Sequence, residues 1–361
     1  MDNKGLLFIP DISGFTQFVT ETDIEHSRLI IQELLEVLIN ANQVGLEVSE
    51  IEGDAILFYK YGESPDFETL YKQVEKMFCE FHRHLMTYEY RRYCQCEACM
   101  SAINLSLKII THYGEFTGYT IKSFNKLIGK DVIVAHQLLK NDIDQHEYWL
   151  VTKNLLPNAP PAELKQWMTW SNSSKQTESG EVSFHYAQLG ALKKEIQPDP
   201  SPQLGLDKKI KVISASKEYD ADILTLFHAT GDFNYRPRWQ EGVKAVEETD
   251  HFLPRVGMSH RCVLKNRSVM IYSSSYYYSP ERIEFSETDE KKNISVYFIL
   301  EKILDKRTRL TINMYLRKNF GMQLFFNLTM KNKMKRDIEK SLENLKTVVS
   351  EIHLPPVTLR N

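Results

Sequence analysis

The sequence lacks most of the features that mark specialised classes of protein. Cysteine occurs five times in 361 residues, and four of the five lie between positions 79 and 99, so no disulfide framework spreads over the fold. No apolar run approaches the length of a membrane span, and the first residues lack the apolar core of a signal peptide. The formal net charge of -3 shows no excess of basic residues. We therefore expect a cytoplasmic protein that neither crosses a membrane nor binds nucleic acid.

The composition that is present suits a globular protein with two cores. Hydrophobic residues make up 42% of the chain and charged residues 26%. A chain of this length exceeds one typical domain, and the stretch QPDPSPQLG (197–205) is rich in proline and poor in apolar residues, as linkers are. The sequence thus predicts one domain over 1–196, a linker over 197–207 and a second domain over 208–361.

Both domains read as α+β. In the first, a buried strand at 6–10 and a helix at 24–43 are followed by two short strands, 45–51 and 55–61. The short turn between these two strands predicts a β-hairpin. A strand is also expected at 103–112. In the second domain a series of strands with period-two patterning is followed by one long helix over 324–352, with Leu328 among its apolar positions.

Two aspartates stand where strands end or turn. Asp11 follows the apolar run LLFIP, and Asp54 lies in the turn between the two hairpin strands. If the first strand lies beside the hairpin, both carboxylates meet at one edge of the sheet, where they repel each other unless a cation joins them. Mg²⁺ or Mn²⁺ bound with the phosphates of a nucleotide suits such oxygen ligands. The alternative is that Asp11 caps the following turn and Asp54 is an ordinary hairpin residue.

Several stretches resemble the class III nucleotidyl cyclase catalytic domain. They are FIPDISGFTQF, EVSEIEGDAILFY, LSLKIITHYGEFTGY and HYAQLGALKKEI, and together they span roughly residues 5 to 196. The resemblance implies a ferredoxin-like cyclase-homology domain in which Asp11 and Asp54 hold the metal, assisted by the carbonyl group of Ile12. Because that family builds its site from two cyclase domains, the resemblance also implies a nucleotide ligand and a homodimer.

The same resemblance shows departures from the family. Active members carry Asn and Arg where this chain has Ile133 and Gln137, and neither replacement stabilises charge on the α-phosphate. Losing one preorganised stabiliser of this kind costs about 2.7 to 4 kcal/mol. Glu50 matches the position of a guanine-reading glutamate, whereas Lys126 falls where Asp or Cys is expected, so base specificity stays open.

The departures favour a sensor or binding protein over an efficient cyclase. Two enzyme alternatives remain. One is a divergent cyclase that works as a dimer and uses His136 or Lys126 for the missing charge. The other is a small-molecule enzyme acting within the second domain.

A cysteine cluster is the second candidate site. The stretch RRYCQCEACMSA places Cys94, Cys96 and Cys99 in a C-x-C-x-x-C pattern, just after a predicted helix. Three thiolates and one further ligand would hold structural zinc, and Cys79, His82 or His84 on that helix would complete the set. The alternatives are thiols without a metal and redox chemistry.

The order of elements in the second domain resembles the START/polyketide-cyclase-like (SRPBCC) superfamily over about 208–353. That resemblance implies a helix-grip fold around a cavity for a lipid or another apolar small molecule, coupled in our reading to the degenerate nucleotide site. Candidate cavity residues are Trp239 and, on one strand face by period two, Tyr272, Tyr276 and Tyr278, with Tyr277 on the other face. The alternative is that these aromatic residues simply pack the core.

Overall fold

The structure is a computed structural model. It describes residues 3–22, 24–90, 97–122, 124–158, 164–197, 206, 208–248, 256–265 and 267–352. The chain divides into two compact units, which we call unit 1 (1–89 with 97–199) and unit 2 (90–96 with 200–361). Among the described helices, none is both long enough and apolar enough to cross a membrane.

Unit 1 alternates strands and helices. Its strands are β1 (Lys4–Ser13), β2 (Glu47–Glu52), β3 (Ala55–Tyr61), β4 (Ser106–Glu115), β5 (Thr117–Ile121), β6 (Phe124–Ile128), β7 (Tyr148–Thr152), β8 (Trp170–Thr177) and β9 (Gly180–Gln188). Its helices are α1 (Phe15–Glu21), α2 (Ile24–Asn40), α3 (Phe67–Tyr90), α4 (Glu97–Ser101) and α5 (Lys130–Gln137).

Strand β1 lies inside the larger sheet of unit 1. The order of that sheet is β2-β3-β1-β4-β7-β9-β8, and β1 pairs antiparallel with both β3 and β4. Every residue of β1 after Lys4 is buried, which explains why its sequence is a continuous apolar run instead of an alternating one. The β-α-β-β-α-β order with β2-β3-β1-β4 neighbours is the ferredoxin-like arrangement. The predicted α+β class is therefore confirmed.

One predicted strand boundary in unit 1 is wrong. The strand expected at 103–112 begins only at Ser106, because α4 and a 3₁₀ turn over Ala102–Asn104 occupy the preceding residues. Of the apolar side chains that suggested a strand there, Leu105 is buried directly after the turn and Ile103 is exposed within it. Short apolar stretches do not by themselves separate a strand from a buried helical turn.

Unit 2 is built on one antiparallel sheet. Its strands are β10 (Lys209–Tyr219), β11 (Val243–Glu248), β12 (Ser259–Leu264), β13 (Ser268–Ser279), β14 (Arg282–Asp289), β15 (Ile294–Leu304) and β16 (Arg307–Arg317), in the order β10-β16-β15-β14-β13-β12-β11. Its helices are α6 (Ile223–Gly231), α7 (Arg236–Trp239), α8 (Phe320–Thr329) and α9 (Lys331–Glu351). Leu342 and Leu345 of α9 share a core with Phe285 and Phe298 of the sheet. This unit is α+β as well.

The single C-terminal helix predicted over 324–352 is two helices. The chain breaks at Met330, whose φ of -115° departs from helical geometry, between α8 and α9. Helix α8 also starts earlier than expected, where the Asn319 side chain accepts a hydrogen bond from the backbone N–H of Met322 (3.0 Å). Phe326 is the buried residue of α8, and Leu328, expected on the buried face, is exposed.

A β-bulge overturns the predicted alternation of tyrosines in β13. The register with β14 shifts between Ser273 and Ser275, so Tyr272 lies opposite Thr288 and Tyr276 lies opposite Phe285. Tyr272 therefore occupies the sheet face opposite to that of Tyr276 and Tyr278. Trp239 and Tyr276 both contact the core, Trp239 fully buried and Tyr276 against Phe227 with ring centres 5.9 Å apart.

A buried ion pair ties α7 to the sheet of unit 2. The Arg236 guanidinium donates to both carboxylate oxygens of Glu287, at 2.7 and 2.9 Å, and the rings of Phe233, Trp239 and Phe298 each lie 5.6 Å from the guanidinium carbon. Burial acts to raise the pKa of Glu287, but the charge and hydrogen bonds of Arg236 hold that pKa below its ordinary value.

We expect the variant Glu287→Gln to destabilise unit 2 strongly. It leaves the Arg236 charge buried without its counter-charge, which typically costs about 3 to 5 kcal/mol in the free energy of unfolding. Urea denaturation followed by tryptophan fluorescence measures the loss. The control is Glu351→Gln, which removes the carboxylate from the exposed Arg238–Glu351 pair and should change stability little. Equal effects of the two variants would contradict the prediction.

Candidate functional site

The backbone of unit 1 brings Asp11 and Asp54 to one edge of the sheet. Asp11 lies opposite Ala55 of β3 on one side and opposite Lys108 of β4 on the other. The backbone N–H of Ile12 donates to the carbonyl oxygen of Asp54 at 3.0 Å, which fixes the end of β1 against the hairpin turn. Gly53 forms that turn with a positive φ of 61°, a conformation that favours glycine. The predicted pairing of the first strand with the hairpin is confirmed.

Burial raises the pKa of both carboxylates, and the charge of Asp11 also acts on Asp54. Burial raises the pKa of Asp11, and the neighbouring Lys108 charge opposes the rise. Burial also raises the pKa of Asp54, to about 6, and the negative charge of Asp11 adds to the increase. Each carboxylate is therefore harder to ionise than an aspartate in water, as expected for two like charges that share a partly buried site.

Lys108 is the resident cation of this pair, and the sequence reasoning missed it. Its Nζ lies 3.4 Å from Oδ1 of Asp11 and donates to the Leu139 carbonyl oxygen at 3.2 Å, and both ionic side chains are largely buried. The available signal was a lysine between Leu107 and the apolar pair Ile109 and Ile110 in β4. One ammonium offsets only one of the two carboxylates, so the ionised pair keeps a net negative charge.

The donor set fits a divalent cation that arrives with phosphate oxygens. Within the described residues, no group of three or more His, Cys, Asp or Glu side chains is arranged to hold a metal. Asp11 and Asp54 thus offer two side-chain ligands. Mg²⁺ is commonly held in this way, by one or two carboxylates with waters and substrate phosphates completing the shell. The raised pKa of Asp54 has the sign expected of a site that favours a cation.

A cleft of about 990 Å³ opens in front of the two aspartates. This volume lies at the upper end of the range usual for small-molecule sites, about 300 to 1,000 Å³. The N-terminal end of α1 and the exposed side of α5 form its walls. Besides the aspartates, its lining includes Glu50, Glu52, Lys108, Ile133, His136 and Lys140.

The two positions where active cyclases carry Asn and Arg are both on this cleft but supply no charge. Ile133 on α5 is 51% exposed, an unusual environment for an isoleucine. The side-chain carbonyl of Gln137 accepts a hydrogen bond from the backbone N–H of Glu178 at 3.3 Å, so that oxygen is engaged with the turn between β8 and β9. At these two positions the cleft therefore presents one apolar side chain and one uncharged side chain.

Glu50 and Lys126, which occupy the two positions where the cyclase family reads the base, bind each other. They form an ion pair across β2 and β6, which raises the pKa of Lys126. His136 lies between two acids, with Nε2 at 3.7 Å from Glu50 and Nδ1 at 3.9 Å from Glu52. A purine base would have to compete with these internal partners, so the structure gives no preference for adenine or guanine.

The predicted zinc ligands are only partly within the described residues. Cys94 and Cys96 lie outside them. The His82 ring packs against Phe78 and Phe81, and burial lowers its pKa to about 3. Cys79 lies near Glu75, and burial raises its pKa to about 11, with the Glu75 charge adding to the rise.

The side chain of Cys99 contacts a histidine that was not among the predicted zinc ligands. Its Sγ lies 3.7 Å from Nδ1 of His26 in the first turn of α2. Sequence reasoning missed His26 because it lies 73 residues away and carries no motif.

A family model and a curated relative each match about a third of this chain. A family model described as "Protein of unknown function (DUF2652)" matches residues 31–148. That range contains Asp54, Lys108 and α5 but begins after β1. The "Uncharacterized protein Rv2561/Rv2562" of Mycobacterium tuberculosis is 31% identical over 120 residues, which are 33% of this chain. The chain spans 56% of the length of this relative.

Among solved structures, cyclase domains are similar to this chain. The catalytic core of a rhodopsin-guanylyl cyclase with converted specificity, in complex with ATPαS, is 14% identical with a TM-score of 0.37, over 52% of this chain and 96% of that one. A bacterial light-regulated adenylyl cyclase is 14% identical with a TM-score of 0.38, over 53% of this chain and 95% of that one. Both matches extend over about half of the chain.

We expect Asp54→Asn to stabilise the protein near neutral pH. Because its pKa is raised in the folded state, Asp54 contributes stability below its ordinary pKa of 3.8, and that contribution is lost as pH rises through about 6. Asparagine carries no charge, so the variant should gain in melting temperature at about pH 7, and the gain should shrink toward about pH 4. Thermal unfolding across this range provides the measurement.

The control is Asp66→Asn, at an aspartate whose pKa is lowered by hydrogen bonds from Thr69. The native Asp66 contributes stability above its ordinary pKa and loses it as pH falls, which is the opposite slope. Asp66→Asn should therefore give no gain near neutral pH. A gain shared by both variants would show that the effect is one of total charge and not of the aspartate pair.

Proposed function

We propose that unit 1 is a cyclase-related domain that binds a nucleotide with a divalent cation and cyclises it slowly or not at all. One observation carries the proposal: the cleft keeps two carboxylates, Asp11 and Asp54, while Ile133 supplies no hydrogen bond toward ribose and Gln137 supplies no positive charge. Binding of a nucleotide with its metal ion requires the two carboxylates. Acceleration of cyclisation depends instead on hydrogen bonds and positive charges that stabilise the transition state.

Each residue has a separate role in this proposal. Asp11, Asp54 and the carbonyl group of Ile12 would hold Mg²⁺ or Mn²⁺, and a bound cation neutralises phosphate charge. Lys108 orients Asp11 through their ion pair and limits the repulsion between the carboxylates. Lys140 on the cleft wall provides a further positive charge toward phosphate.

The rival interpretation, a divergent cyclase that uses His136 or Lys126, receives less support from the geometry. Lys126 is paired with Glu50, and His136 lies near Glu50 and Glu52, so both groups already have acidic partners. A group that stabilises a transition state must instead be oriented toward the reacting phosphate before reaction. Formation of a homodimer stays a prediction.

We expect purified protein to bind Mn²⁺ complexes of non-hydrolysable ATP or GTP analogues in calorimetry. Asp11→Asn should weaken that binding about tenfold or more, because replacing even an indirect partner of a metal costs about this much. Asp66→Asn, at a carboxylate away from the cleft, is the control and should bind like the native protein. Undetectable binding of both analogues would exclude a nucleotide site. Sustained formation of cyclic nucleotide, abolished by Asp11→Asn, would contradict the slow or absent turnover.

The ligand of unit 2 stays a prediction from the sequence. A START-like helix-grip fold, an apolar ligand coupled to unit 1 and a small-molecule activity in unit 2 all rest on the resemblance of its element order. Trp239 and Tyr276 belong to the packed core, and Tyr272 lies on the opposite sheet face from Tyr276. Native mass spectrometry of the full chain would detect a retained apolar molecule directly.

We infer a revised ligand set for zinc in the cysteine cluster. Zinc–sulfur and zinc–nitrogen bonds of about 2.3 and 2.0 to 2.1 Å place two ligands of a tetrahedral site about 3.6 Å apart. The observed separation of Cys99 Sγ from His26 Nδ1 is 3.7 Å. This agreement supports His26, instead of Cys79 or His82, as the partner of Cys99.

We therefore expect His26→Ala to lower the zinc content of the purified protein. Inductively coupled plasma mass spectrometry of the native protein, His26→Ala and Cys79→Ser gives the test. Cys79→Ser is the matched control, because the charged groups that act on Cys79 are Glu75, Arg83, Glu195 and Glu80, and the observed partner of His26 is Cys99. Loss of zinc in the control alone would restore the original ligand set, and native protein without zinc would exclude the site.

A further inference from the structure

Helix α8 has an apolar face that the described residues of unit 2 leave exposed. Phe320, Leu324, Phe325 and Leu328 are 81%, 51%, 61% and 77% exposed. Phe320, Leu324 and Leu328 are spaced four residues apart and so lie on one side of the helix, and Phe325 widens that side. Single exposed apolar residues are common on protein surfaces, but a contiguous set of four large ones indicates an interaction site.

The opposite face of α8 is firmly packed, so the exposed face is not the result of a loose helix. Phe326 is buried in a cluster with Ile213, Met314 and Leu316 of the sheet, and Met330 and Met334 pack against the same cluster. The side chain of Asn319 caps the first turn of the helix. The break at Met330 then separates α8 from α9.

The sequence around this face carries charge of a single sign. Residues 317–336 contain six basic residues and no aspartate or glutamate: Arg317, Lys318, Lys331, Lys333, Lys335 and Arg336. The backbone N–H of Lys318 also donates to the carbonyl oxygen of Lys208 at 2.8 Å, which brings a further lysine to this end of the sheet. The nearest acids in sequence, Asp337 and Glu339, lie beyond this segment and pair with Lys333 and Lys335.

This charge distribution distinguishes between the possible occupants of the face. In a symmetric dimer the same surface meets itself, so the basic residues of one copy would face those of the other and repel. A bilayer that contains acidic lipids offers both complements at once: apolar chains for the phenylalanines and leucines, and negative headgroups for the basic flanks. Amphipathic helices with basic residues beside an apolar face bind such surfaces without crossing them.

We propose that α8 and its basic flanks form a docking surface for an anionic lipid bilayer. The apolar face of α8 enters the headgroup region, and the basic residues on both sides of the helix contact acidic headgroups. This inference goes beyond the nucleotide function proposed for unit 1 and does not depend on it.

Vesicle co-sedimentation of the full chain tests the proposal. The probes are phosphatidylcholine vesicles and vesicles that also contain about 30 mol% phosphatidylserine, whose negative surface attracts basic segments. We expect the native protein to bind the acidic vesicles on the order of tenfold better than the neutral ones, with the difference falling at high salt. Equal sedimentation with both vesicles, or with neither, would overturn the proposal.

Two sets of variants separate the apolar contribution to vesicle binding from the ionic contribution. Phe325→Ser/Leu328→Ser should lose most of the binding without lowering the melting temperature, because both side chains are exposed. Lys331→Glu/Arg336→Glu should lose the preference for acidic lipid. Leu304→Ser, at an equally exposed leucine in the β15–β16 hairpin, is the matched control and should bind like the native protein.

Sedimentation velocity in the absence of vesicles addresses the rival occupant. A native dimer that Phe325→Ser/Leu328→Ser converts to a monomer, together with unchanged vesicle binding by that variant, would assign the face to a second copy of the chain and overturn the proposal.

Discussion

The antiparallel pairing of β1 on both of its edges is the constraint on which unit 1 depends. It sets Asp11 opposite Ala55 and Lys108, and it anchors the hairpin turn that carries Asp54. Side chains alternate along a strand, so a slip of one residue would turn Asp11 to the other face and disperse the site. Burial of both faces of β1 makes such a slip costly, because the closely packed side chains of both faces would lose their fit and the Asp11 carboxylate would enter the opposite layer.

The cleft in front of Asp11 and Asp54 contains a feature that does not help the protein to fold. The aspartate pair is unfavourable for folding, since desolvation and mutual repulsion both act against its ionised form. A structure that keeps such a pair keeps a local cost, which is typical of sites retained for a ligand. Ile133, by contrast, removes any polar contact at its position and leaves an exposed apolar side chain in the wall.

Sequence patterns predicted the parts of the fold that depend on local periodicity. The strands and helices around Asp11 and Asp54 followed from apolar spacing, and their meeting at one sheet edge followed from the hairpin. Lys108 could not be placed, because its contact with Asp11 depends on the register of β1 with a strand almost one hundred residues later. The bulge in β13 and the break at Met330 likewise depend on packing against neighbouring elements, which a period-two or period-3.6 pattern does not contain. His26 was missed for the same reason, since only the tertiary fold brings it to Cys99.

Lys108 affects how far the charge balance of unit 1 depends on a bound metal ion. Where a metal ion is needed to neutralise a buried acid, the stability of the fold depends on that ion, and its removal unfolds the protein. Here a covalently tethered ammonium already offsets part of the negative charge from inside the sheet. A chelator can remove a divalent ion but not a lysine side chain, so this contribution to the charge balance of unit 1 does not depend on the supply of metal.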